Sequence, residues 1–227
     1  MAAVYTNRSV WIRRPVMTIL EELSSQIGDR SEESNRHAAR QILDNPSLLT
    51  DIASGLQSGD AALIGDCAEV MTMVSETHPE WITPYFKYLG GLLTHKKPRV
   101  RWESMHALAN LAPVSPGSIQ PLLPVIRQII NDDKSIIARD YAVIALSGYA
   151  KTSPQAAMEV YPLLKEAMHV FEGRHAHHAM RGIEFMAIFH PDKIEEILIL
   201  IQPFEDHKRG VIRKTAKKLI QALQNEE

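Results

Sequence analysis

The sequence predicts an all-α fold, a right-handed superhelix of about five stacked helical pairs, and three observations carry that prediction. The first is a recurring stripe. Counting from Arg101, the small or aliphatic residues Ser104, Ala107, Leu108 and Leu111 fall three, six, seven and ten positions later, which is the spacing of one helix face. The same count leads from Arg139 to Ala142, Ala145, Leu146 and Tyr149, and from Arg213 to Ala216, Leu219, Ile220 and Leu223. A weaker copy runs from Ala176 to Ala179, Gly182, Ile183 and Met186, so the marks at 101, 139, 176 and 213 are 38, 37 and 37 residues apart. The second observation is proline. His78-Pro79, Ser115-Pro116, Ser153-Pro154 and His190-Pro191 recur at 37, 38 and 37 residues. Proline is best tolerated in the first turn of a helix, where its missing N–H has no partner to lose, so each X-Pro opens the first helix of a unit. The third is composition: few aromatics, 11 glycines spread thinly and no low-complexity tract favour helix over sheet.

Taken in order, residues 1–14 form an arm whose Trp11 and Ile12 are expected to dock on the first helix. Val16, Ile19, Leu20, Leu23 and Ile27 give that helix its apolar stripe, ended near Gly28. Ser31-Glu32-Glu33-Ser34 places acids in the first turn of the next helix, facing its dipole. Ala38, Ala39, Ile42 and Leu43 supply the buried face, with Arg36 as a first register mark. A helix over 46–57, a turn at Ser58-Gly59-Asp60 and a helix over 61–76 follow. Regular pairs then run 79–94 with 98–112, 117–131 with 135–151, 154–171 with 174–189 and 191–204 with 208–224. Pro84, Pro121 and Pro162 lie inside the first helices and are expected to kink them. Residues 1–44 thus read as a less regular cap and 45–227 as the repeats of a single domain.

A period of 37 to 38 residues, proline in the first helix and a Val/Ile-Arg mark opening the second resemble the HEAT/armadillo-like solenoid family. The resemblance covers 31–227 and is strongest in Pro98–Ala112 and Asp132–Ala150. It implies a ladder in which an Asp in the turn and an Arg six residues later bond neighbouring units. Asp133 with Arg139 fits that pattern. His95 and His207 stand where acids would pair with Arg101 and Arg213, and Ala176 replaces the Arg, so the ladder is incomplete. Small residues such as Ala107, Ala142, Ala145 and Gly182 let helices approach closely, and Gly90-Gly91 is read the same way.

Charge and chemistry narrow the function. The net charge of -2 argues against general affinity for phosphate backbones, but it divides unevenly: 7 Lys+Arg against 12 Asp+Glu in 1–95, and 18 against 15 in 96–227. An acidic partner therefore belongs on the C-terminal half. The only cysteine, Cys67, excludes an internal disulfide or a cysteine-based zinc site. Arg8, Arg13, Arg14 and Pro15 interrupt any signal-peptide core, and the longest later aliphatic run is Ile197 to Ile201; a soluble, cytoplasmic protein without membrane partners is expected. One and five positions after each mark, side chains should project onto the concave face. These are Trp102 and His106, Asp140 and Ile144, His177 and Arg181, Lys214 and Lys218. The groove so formed is aromatic near its middle and basic at its C-terminal end, with Trp102 as its anchor.

Two basic clusters flank this surface, Lys96, Lys97, Arg99 and Arg101 in one turn and Lys208, Arg209, Arg213, Lys214, Lys217 and Lys218 in another. Such clusters suit acidic peptide, phosphate or nucleic acid, although most are solvated faces. His175 and His178, at i and i+3, share a helix face that could face a metal, but no third ligand accompanies them except Glu172, and no metal or other cofactor is expected. No nucleophile elbow, phosphate-binding glycine loop or HExxH motif is present. The resulting expectation is a non-enzymatic scaffold or adaptor that offers a protein or acidic peptide Arg101, Trp102, His106, Asp140, His177, Arg181, Lys214 and Lys218. The alternative is a nucleic-acid-binding protein resembling the HEAT-like DNA alkylation-repair glycosylases, for which Trp102 and Asp140 are residues of the right types on adjacent helices.

Overall fold

Small residues decide which helices stand closest. The computed structural model describes residues 18–29 and 31–225; the arm with Trp11 and Ile12, and Val16 of the first stripe, lie outside the described residues. The inner row consists of α2 (Glu33–Asp44), α4 (Ala61–Ser75), α7 (Pro98–Leu111), α10 (Ile136–Ala150), α12 (Ala176–Phe189) and α14 (Gly210–Gln224). Each packs on the next in chain order. Val100, Ser104, Ala107, Leu108 and Leu111 of α7 are fully buried, as are Ala142, Ala145 and Leu146 of α10 and Ala179, Ile183 and Met186 of α12. Burial of such stripes stabilises at about 25 cal/mol per Å² of apolar area. Gly182 shows why size matters: a Cβ there would stand 2.8 Å from Leu164 Cδ1 and 2.9 Å from Ser147 Oγ. At Gly90 a Cβ would meet Leu122 Cδ2 at 2.8 Å, whereas at Gly91 nothing lies within 4 Å, so only the first glycine of that pair permits close approach.

The outer row is more broken. α3 (Leu49–Gly55) pairs with α4. α5 (Pro79–Ile82) and α6 (Phe86–Leu92) are separated by a 3-10 turn at Thr83–Tyr85 and pack on α7; α8 (Pro116–Ile119) and α9 (Leu123–Asp132) are separated at Gln120–Leu122 and pack on α10. Pro84 and Pro121 sit in those two turns, because a proline cannot donate into the helical ladder. Pro162 behaves otherwise. α11 (Pro154–Gly173) stays helical through it, and its break comes at Val170, Phe171 and Glu172. α13 (Ile194–Ile201) completes the row against α14. Pro79, Pro116, Pro154 and Pro191 open the first helix of their units as expected.

The N-terminal part departs from the sequence reading. In place of one helix to Ile27 there is a 3-10 turn, Ile19–Glu22, then extended Leu23, then a single turn α1 (Ser24–Ile27) ended by Gly28 at φ 74. Leu23 is buried, but Ile27 is 54% exposed, as Leu43 of α2 is at 40%. Among the described residues there is no strand, and no helix is long and apolar enough to cross a membrane.

Candidate binding groove

The turn that leads into each inner helix fixes where its side chains point. His95 Nδ1 accepts the Lys97 N–H at 3.2 Å, Asp133 Oδ1 the Ser135 N–H at 2.7 Å and His207 Nδ1 the Arg209 N–H at 3.1 Å. Histidine thus makes the same local turn as aspartate. The arginine six residues on bonds the carbonyl of that residue: Arg101 Nη1 reaches His95 O and Arg213 Nη1 reaches His207 O, both at 2.7 Å. The expected Asp133–Arg139 pair is not formed. Asp133 instead accepts Arg101 Nε at 2.6 Å and Nη2 at 2.8 Å from the preceding unit, while Arg139 lies 3.3 Å over the Phe171 ring. Burial raises the Asp133 carboxyl, and the Arg101 bonds outweigh it to hold the group below the usual range. Arg101, named from sequence as a binding residue, is placed inside this inter-unit ladder.

The remaining named residues stand at the junctions of the inner row, which differ from one to the next. Between α4 and α7, Arg99 Nη2 donates to Asp66 Oδ1 and Glu69 Oε2, both at 2.8 Å, and Asn35 Nδ2 of α2 reaches the same atoms at 3.0 and 2.6 Å. Burial pushes Asp66 up, but hydrogen bonds from Ser25, Asn35 and Arg99 leave it below the ordinary carboxylate value. For Glu103 burial wins, and the nearby Glu69 charge adds to it, although Trp102 Nε1–H donates to Glu103 Oε1 at 2.8 Å. Trp102 is half-buried and lines a hollow of about 330 Å³ with Asp29, Glu32, Asp66, Glu69 and Glu103. Its surroundings are acidic.

Between α7 and α10, His106 stacks on Tyr141 with centroids 3.7 Å apart and planes 13° from parallel, and burial lowers its pKa to about 4. Between α10 and α12, Asp140 Oδ1 accepts a hydrogen bond from His175 Nδ1 at 2.6 Å, with His178 Nε2 at 3.6 Å. Burial opposes the ionisation of Asp140, but the His175 bond holds it below its usual value. His175 Nε2 and the Nδ1 atoms of His177 and His178 are buried without a hydrogen-bond partner. Burial, with the neighbouring His177 charge, lowers His178 to about 4, and burial lowers His177 as well. The acid beside these histidines comes from the preceding unit, which the search along their own helix missed. Among the described residues no three His, Cys, Asp or Glu side chains are grouped to hold a metal ion.

The last junction is open. Arg181 of α12 and Lys214 and Lys218 of α14 are exposed and line a hollow of about 460 Å³ with Met180, Glu184, Phe185, Val211, Thr215, Leu219 and Ala222. Among the described residues no side-chain hydrogen bond or ion pair crosses from α12 to α14 here. Three like charges meet instead. Trp102 and Lys214 therefore line two separate hollows, with Asp140 and His177 between them; both hollows use residues one or five positions after the register marks. Sequence reasoning missed Asn35, Asp66, Glu69 and Tyr141. A signal existed for Glu69: counting back 37 residues from Arg101 reaches Ile64, and Glu69 lies five beyond it. Cys67 is fully buried and its thiol is pushed up to about 12 by burial, which leaves it without nucleophilic character.

No protein-family model and no curated protein matches the sequence. Solved structures do resemble the fold. A designed armadillo repeat protein in complex with the peptide (KR)4 aligns at TM-score 0.69 and 16% identity, over 90% of this chain and 98% of that one. An engineered protein aligns at 0.64 and 16% over 92% and 98%, and a computationally designed armadillo repeat protein for modular peptide recognition at 0.63 and 16% over 90% and 98%. Identities of this size carry the architecture alone: the chain has an all-α, armadillo- or HEAT-like helical-repeat fold.

Proposed function

We propose that the protein is a non-enzymatic scaffold or adaptor, a single solenoid domain working in a reducing, cytoplasmic setting, whose inner helices bind an acidic peptide segment of a partner protein. The observation that carries this reading is the α12–α14 hollow, where Arg181, Lys214 and Lys218 outnumber the one acid of its lining, Glu184, and no ion pair crosses the junction among the described residues. Three cations around one opening favour an anionic ligand and raise its association rate. The architecture is compatible with peptide binding in general, since one structural relative holds a peptide, the basic (KR)4, and another was designed for modular peptide recognition; the acidic character of the ligand rests on the charges of this chain alone. Trp102, His106, Asp140 and His177 extend the surface toward the acidic hollow and would contact the rest of the segment.

Fluorescence anisotropy with a labelled, acid-rich peptide tests this directly. Binding at low salt is expected, and the double substitution Lys214→Glu with Lys218→Glu should weaken it at least tenfold. A nucleic-acid binder would behave differently. It would retain a labelled duplex and lose it with a steep logarithmic slope in salt, in proportion to the phosphates contacted. Retention of duplex but not of peptide would replace the peptide reading with the nucleic-acid one.

A further inference from the structure

We infer that the α12–α14 notch holds one bulky apolar side chain of the partner, aromatic or leucine, set between acidic residues of the same peptide. The inference rests on the peptide-binding reading and deepens it. The cations form only the rim. Beneath them, half-buried Phe185 and Ala222, with Val211 46% exposed at the mouth, present apolar surface backed by the buried Met180 and Leu219. This is an apolar floor inside a charged ring, the arrangement in which an anchor residue gains from desolvation while surrounding pairs fix its orientation.

The rest of the row explains why this floor is uncovered. The α4–α7 junction is closed by Arg99 on Asp66 and Glu69, the α7–α10 junction by His106 on Tyr141, and the α10–α12 junction by Asp140 on His175. At α12–α14 the register counterparts of Arg99 and Tyr141 are Val211 and Thr215, which make no such pair, and the cations Arg181, Lys214 and Lys218 at the rim repel one another rather than bridge the gap between their helices. The hollow of about 460 Å³ has the size of a small-ligand site. Glu184 on its rim leaves the four charged residues at a formal +2, which suits a short acidic segment better than a continuous phosphate backbone.

The test uses the full chain and three labelled peptides of one length: acids flanking a central phenylalanine, the same with alanine at the centre, and the first with its acids replaced by amides. The phenylalanine peptide should bind at least tenfold more tightly than the alanine peptide, and the amide peptide should bind weakly. Ala222→Trp, which fills the notch, should erase the preference for phenylalanine. Should that variant not fold, Val211→Asp at the exposed mouth should weaken the phenylalanine peptide at least tenfold. Equal affinities for the phenylalanine and alanine peptides, both still displaced by salt, would overturn the anchor and leave the acidic-peptide reading in place. Absence of binding by all three at low ionic strength would overturn both. A preference that persists in the folded Ala222→Trp protein would overturn the assignment to this notch.

Discussion

His95, Asp133 and His207 occupy one turn position in three units and cap the same backbone N–H two residues on. To accept there, a histidine must be neutral at Nδ1; His207 then donates Nε2–H to Glu172 O at 3.1 Å, which fixes its tautomer. Arg101 and Asp133 form the most buried arginine–carboxylate pair of the molecule's described residues, with side chains 15% and 5% exposed. Removing the arginine would leave a poorly solvated carboxylate, so Arg101→Ala should cost about 2–4 kcal/mol, and Asp133→Asn added to it should restore part of that loss. Chemical denaturation of the four proteins of the cycle measures both. His106 and His178 make a second prediction. Their folded pKa values near 4 lie below the 6.5 of an exposed histidine, so between those values the unfolded chain takes up protons that the folded chain refuses. The stability present above pH 6.5 is therefore lost as pH falls toward 4, by at most about 3 kcal/mol for each group. Thermal melts from pH 7.5 to 4 should show the decline, and His106→Phe, which keeps a ring against Tyr141, should flatten it. An unchanged slope in that variant would mean His106 is not the titrating group.

At the scale of single elements, the fourth unit-entry turn is the exception that the sequence pattern marks. Val170 stands where His95, Asp133 and His207 supply acceptors, and a valine has none. The turn is made instead by three consecutive left-handed residues, Phe171 at φ 49, Glu172 at φ 56 and Gly173 at φ 69. A side chain at Gly173 would meet Met168 O at 3.0 Å as well as the left-handed backbone penalty. Gly173→Ala should therefore cost about 1–3 kcal/mol. Gly182→Ala should cost a similar amount for a different reason, because its methyl group would force Leu164 and Ser147 apart. Gly91→Ala is the control: the space is open and the residue is helical, so it should be neutral or stabilise by up to about 1 kcal/mol. Guanidinium unfolding of the three variants ranks them. If Gly182→Ala were as stable as Gly91→Ala, small size would not be what sets the α11–α12 spacing.

The described residues form a row in which each inner helix packs chiefly on its neighbours, so stability is shared by neighbours rather than stored at one place. Amide hydrogen exchange should accordingly be slowest in α7 and α10, flanked on both sides, and fastest in α2 and α14 at the ends of the described row. Equal protection along the row would contradict this one-dimensional picture. Much of it was legible in advance. The stripes of α7, α10 and α12 are buried where the count from Arg101, Arg139 and Ala176 placed them, and the four X-Pro steps open their units. The polar contacts were less legible. Asp140 meets His175 from 35 residues away, and Asp133 meets Arg101 from 32, separations that a search along one helix does not join.

What the sequence by itself determined is the repeat: periodic small residues and prolines are local constraints on backbone and burial, and each acts within one helix or its first turn. What only the tertiary structure decided is how neighbouring units share their polar groups, which junction of the inner row is closed by a pair and which is left open. That depends on side chains a full repeat apart meeting at ångström distances, and the identity of one partner, such as Tyr141 against His106 or Lys214 beside Arg181, changes a filled seam into an open notch.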